Sequence, residues 1–112
     1  MLKIKNNTDL YLTRGDSVQM QITILDANGD PYTPEVDDVI RFALKKTYRS
    51  AEPEILKTLN NGNLVLSLTP EETKSFTTFN SPYVWDIELS NEALGIVDTF
   101  MSGKLFILEE VY

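Results

Sequence analysis

The chain has 112 residues, 42% of them hydrophobic, and a net charge of −7, so it is read as one domain spanning residues 1–112 with a modest core. With no cysteine and no histidine it cannot build a disulfide scaffold, a thiolate metal site or a Ser-His-Asp triad. The acidic balance argues against nucleic acid and anionic membranes as partners, because both demand clustered Lys and Arg.

The opening residues Met1-Leu2-Lys3-Ile4-Lys5 lack the apolar stretch of a signal peptide, and no apolar run approaches the roughly 20 residues that cross a bilayer. The expectation is a soluble protein made in the cytoplasm.

Period two dominates the rest of the chain. Leu10 and Leu12 mark a first strand. Val18, Met20, Ile22 and Ile24 alternate with Gln19, Gln21 and Thr23, giving one apolar face and one wettable face. Asp26-Ala27-Asn28-Gly29-Asp30-Pro31 ends that run, with Asn-Gly supplying the positive φ angles of a tight turn. Ile40, Phe42 and Leu44 define a further strand, and Ile55 with Leu59 a short one. Asn60-Asn61-Gly62-Asn63 reads as a hairpin turn into Leu64, Leu66 and Leu68.

Thr69-Pro70-Glu71-Glu72 is a capping box, which predicts one short helical turn near residues 70–76. Tyr83, Trp85, Ile87 and Leu89 form the clearest strand. A turn over residues 90–95 leads to two last strands, 96–100 and 104–111, separated by Ser102-Gly103. Seven or eight strands without a βαβ rhythm predict an all-β, immunoglobulin-like antiparallel β-sandwich.

Each candidate site has a plainer explanation beside it. Arg14-Gly15-Asp16 matches the tripeptide that integrins read, but a turn with Gly15 at positive φ accounts for it. Asp26 to Asp30 resembles a calcium loop, yet Gly falls at position 4 and Asp37 at position 12, unlike an EF-hand; a weak site completed by Asp37 or Asp38 stays open. Adjacent carboxylates at Asp37-Asp38, Glu71-Glu72 and Glu109-Glu110 do not provide a glycosidase pair. No catalytic, cofactor or metal residue is therefore assigned, and an enzyme is not expected.

Tyr83 fits a tyrosine corner over residues 77–82, with Trp85 filling the core; an aromatic platform for sugar would instead need exposed rings such as Tyr32, Tyr48 or Trp85. In the last strand Leu105 and Ile107 share one face while Phe106 and Leu108 lie on the other, so both faces should be covered. Phe106, Leu108 and, earlier in the chain, Phe100 are the candidate interface residues. The cover is either another protein or the helical turn.

Taken in order, four stretches carry a resemblance: residues 12–18 (Leu12-Thr13-Arg14-Gly15-Asp16-Ser17-Val18), Asp26 to Tyr32, Leu68 to Thr73, and Tyr83 to Leu89 followed by Gly95 to Phe100 and Gly103 to Ile107. The series resembles small phage and prophage structural proteins of Gram-positive bacteria, including the N-terminal domain of siphophage upper baseplate proteins. That resemblance implies a non-catalytic virion protein of a tail, baseplate or neck. It would assemble in the host cytoplasm as a homo-oligomer or with other phage structural proteins. The chain stops at Tyr112, without the long extension of a full baseplate protein. The alternative is a carbohydrate- or cell-surface-binding β-sandwich module.

Overall fold

The computed structural model describes residues 6–111. Among the described residues eight strands form in chain order: β1 (Asn6–Asn7), β2 (Leu10–Thr13), β3 (Val18–Gln21), β4 (Val39–Lys45), β5 (Ile55–Thr58), β6 (Val65–Leu68), β7 (Tyr83–Asn91) and β8 (Ile96–Leu108). One short helix, α1 (Pro70–Lys74), and a 3-10 turn at Glu92–Leu94 complete the set. Six strands build one sheet, ordered β8, β7, β4, β5 with β1 and β2 along the outer side of β8; β3 and β6 pair antiparallel as the other sheet. This is the all-β sandwich expected, with β3 and β6 facing β4, β7 and β8.

The alternating side chains meet between the layers. Ile40, Phe42 and Leu44 of β4 and Tyr83, Trp85 and Ile87 of β7 are buried against Leu66 and Leu68 of β6. A fully buried side chain of this size contributes about 1.5–3 kcal/mol relative to exposure, so this alternation is the main force selecting the fold. The Phe42 and Trp85 rings stack with centroids 6.0 Å apart.

Three features depart from the expectation. First, the sandwich is not wholly antiparallel: β1 and β2 run parallel to β8, with Asn6 opposite Met101 and Leu10 opposite Leu105. Alternation reports which face a residue takes and carries no information on strand direction. The turn at Arg14–Asp16 carries the chain into the other layer, so β2 never pairs with β3.

Second, Ser102-Gly103 does not separate two strands. Residues 96–108 are one continuous strand along β7, with a register shift between Ile87 and Glu88. Ile87 pairs with Met101 and Glu88 with Thr99, so Phe100 is the extra residue of a β-bulge. The bulge resets the phase, burying Asp98 before it, Phe100 within it, and Leu105 and Ile107 after it. Gly103 is there for another reason: a Cβ on it would lie 1.8 Å from the carbonyl oxygen of Thr8, where the chain passes from β1 to β2.

Third, Asn60 to Asn63 is a tight turn, closed by the Asn63 amide donating to the Asn60 carbonyl at 3.0 Å, but not a hairpin. β5 pairs with β4 and β6 with β3, so the turn transfers the chain between layers. Both arms are apolar and either pairing would bury them. A similar refinement applies at Asn28-Gly29, where only Gly29 has a positive φ, +84°.

The helix start follows its sequence signature. Thr69 Oγ1 accepts from the Glu72 amide at 3.2 Å, and Glu72 Oε1 accepts from the Thr69 amide at 2.9 Å. Lys57, hydrogen-bonded to Glu72, together with the Thr69 amide holds that carboxyl below the usual glutamate range.

Candidate functional site

The two ends of the sandwich are closed by polar side chains, among them Tyr83, Tyr32 and Asp38. At the end where β7 begins, the Tyr83 hydroxyl accepts from the backbone amides of Thr77 and Thr78 at 3.1 and 3.3 Å, with its ring packed on Phe76. This is the tyrosine corner. Trp85 is only 3% exposed, so its ring is core and cannot serve as a platform for sugar.

At the other end Asp38 is buried, although the sequence marked it only as half of a carboxylate pair and as a possible ligand of a weak calcium site. It accepts from the Tyr32 hydroxyl at 2.5 Å, the Glu35 amide at 2.8 Å and Asn91 Nδ2 at 2.9 Å. Burial by itself would raise its pKa; the hydrogen bonds from Tyr32, Asn91 and the Glu35 amide outweigh burial and hold it below the ordinary aspartate value. The same contact, with burial and the nearby negative charge, pushes Tyr32 up to about 12. Asn61 Nδ2 ties the layer-switching turn to the Glu35 and Asp38 carbonyls at 3.1 and 2.7 Å. Asp38 therefore joins the β3–β4 loop, the β5–β6 turn and the end of β7.

The first carboxylate of the calcium-like loop is also engaged locally. Asp26 Oδ1 accepts from the amides of Asn28 and Asp30, as a turn-closing aspartate does. Among the described residues no group of three or more carboxylates is gathered as a metal site requires. Arg14-Gly15-Asp16 is a turn with Gly15 at φ +91°. Arg14 pairs with Glu110 at 2.5 Å, and the Gly15 amide donates to Thr73 Oγ1 of α1 at 3.1 Å.

The candidate interface residues divide. Phe100 is 7% exposed and belongs to the core, because the bulge turns it inward, so it is withdrawn from the interface set. Leu108 is 47% exposed. Phe106 lies on the outer face of the large sheet and stacks on Tyr11, ring centroids 5.0 Å apart and planes at 14°. Tyr11 itself is 67% exposed. Helix α1 is bound to the Arg14–Asp16 turn through Thr73, whereas the ring against Phe106 comes from β2.

Tyr11 was not singled out from the sequence. Its place between Leu10 and Leu12 implies an outward side chain, but the partner follows from the parallel register, Tyr11 opposite Phe106. Among the described residues, no strand pairs with the other side of β2. An aromatic stack, an exposed leucine and an open strand edge thus adjoin one another.

A second feature on the same outer face is a depression of about 450 Å³. It is lined by Lys45, Tyr48, Val84, Asp86, Thr99 and Ser102 among others, with Tyr48 75% exposed. Tyr32, engaged with Asp38, is not part of it. The chain matches no protein-family model and no curated protein sequence.

Proposed function

We propose that the chain is a non-catalytic structural or assembly module of a phage or prophage virion, in a tail, baseplate or neck, acting through protein–protein contacts. It would be built into the particle in the bacterial host cytoplasm. The observation that carries this reading is the Tyr11–Phe106 stack with Leu108 beside the open edge of β2. Aromatic residues in such positions contribute much of the energy of protein interfaces, and an unpaired edge offers backbone hydrogen bonds to a further strand. The resemblance of the ordered turns and strands to phage structural proteins supports the same reading.

The test is sedimentation velocity across a concentration series. The native chain is expected to show a defined assembly, and Phe106→Asp to weaken it at least tenfold by placing an unpaired charge in the contact. Assembly unchanged by Phe106→Asp would remove this surface from the reading.

One observation favours a second reading, a carbohydrate-binding module. Exposed Tyr48 walls a depression that also carries Lys45, Asp86, Thr99 and Ser102, a mixture of ring face and hydrogen-bonding groups suited to sugar hydroxyls. A glycan screen in which binding depends on Tyr48 would favour this module over the assembly role.

A further inference from the structure

The charge of this chain is distributed unevenly along its length. Residues 15–40 contain six carboxylates and no Lys or Arg; residues 41–58 contain five cations against two carboxylates. The fold turns this into separate surfaces. The first stretch, from β3 to the start of β4, meets the β7–β8 connection through Asp38 and Asn91 and forms one end of the sandwich. Asp26, Asp30, Glu35, Asp37 and Glu92 are all exposed there. The second stretch leaves from the other end of β4 and returns over the outer sheet face, where Tyr48 walls the depression.

The acidic end is also unusually apolar. Half of the large hydrophobic side chains that are exposed in the described residues lie there: Leu25, Val36, Val39, Leu94, Ile96 and Val97. Two of them, Leu25 and Ile96, line a groove of about 300 Å³ together with Ile24, Tyr32, Leu89 and Phe100, with Asp26 at its lining. In the β4–β5 loop, exposed Tyr48 stands between Lys46 and Arg49. Lys46 has only a loose contact to Glu54, 3.9 Å, and Arg49 has no ion pair among the described residues.

We infer that the acidic, apolar end of one copy receives the Lys46–Arg49 loop of a second copy, with Tyr48 seated in the groove. Opposite charge and a ring-sized apolar recess meet in this pairing, whereas two acidic ends would repel. Because the two surfaces differ, the contact is heterologous and propagates head to tail, closing into a ring or extending as a filament. The inference rests on the assembly reading but uses a surface other than the Tyr11–Phe106 stack.

Light scattering coupled to size-exclusion chromatography on the full chain tests it. Asp37→Lys/Glu92→Lys disables the acidic end, and Tyr48→Ser/Arg49→Ser disables the loop; all four positions are exposed, so both variants should fold. Each alone is expected to give a smaller assembly than the native chain, held only by the Tyr11–Phe106 surface. Mixed in equal amounts they should recover a species larger than either gives alone, since one intact end and one intact loop remain. Raising salt from about 0.1 to about 1 M shortens the screening length to about 3 Å and should dissociate it.

Native-like assembly by either variant, a mixture no larger than either variant alone, or a native chain monomeric at every concentration would overturn the inference. Phe106→Asp separates it from the reading on which it rests. If only that substitution abolishes assembly, the head-to-tail contact is wrong and the assembly role stands.

Discussion

The two ends of this sandwich solve the same problem with opposite chemistry. Each must close the space between two sheets while satisfying loop amides. At one end a neutral phenol, Tyr83, accepts from two amides and keeps its ring in the core. At the other a buried carboxylate, Asp38, gathers a hydroxyl, an amide and a side-chain amide from separate parts of the chain. The phenol closure is local, six residues or fewer along the sequence. The carboxylate closure is long-range, reaching 53 residues to Asn91. A charge can organise more donors than a neutral group, but its removal strands more of them.

The largest effect should therefore come from Asp38→Ala. It leaves three donors without their acceptor, and a loss of about 3–5 kcal/mol is expected in urea unfolding. Against a total stability of roughly 5–10 kcal/mol for a domain of this size, this would bring the fold close to its limit.

Acidification should reproduce part of that loss. Because Asp38 has a depressed folded pKa, its stabilisation is complete above the unfolded value and disappears as pH falls through the folded one. A thermal-unfolding series from neutral pH to about pH 3 should show a falling midpoint that Asp38→Asn flattens. On the alkaline side Tyr32 is the raised group: its contribution is complete below about pH 10 and declines as pH rises towards about 12.

Tyr83→Phe should be milder, about 1–2 kcal/mol, since the ring stays packed on Phe76 and only the acceptor for two amides is lost. Its acid profile should match the native one, because the substitution leaves the Asp38 network untouched. The smallest effect expected is the coupling between the ends. In a molecule 46 Å long, with no partner shared by the two networks, the two losses should add within about 0.5 kcal/mol. A larger coupling in a double-mutant cycle would show that the ends are not independent.

Much of this was legible in the residues. The capping box at Thr69, the tyrosine corner at Tyr83, the core place of Trp85 and the positive φ of Gly15 each depend on a few neighbouring residues whose chemistry allows few alternatives. Asp38 was visible as a charge next to Asp37 and a possible calcium ligand, not as the hub of a network. Its three partners lie 3, 6 and 53 residues away, and no local pattern announces such a convergence.

What the sequence by itself determined was the face each side chain prefers and where the chain turns, because period two and turn chemistry act over a few residues. Only the tertiary structure decided which strands pair, in which direction and with what phase. The parallel β2–β8 edge, the layer switch at Asn60 to Asn63 and the bulge at Phe100 all leave local burial preferences satisfied. For the same reason Tyr11 met Phe106 outside while Phe100 went inside: register and phase are set by the whole packed sheet, to which single-strand alternation is blind.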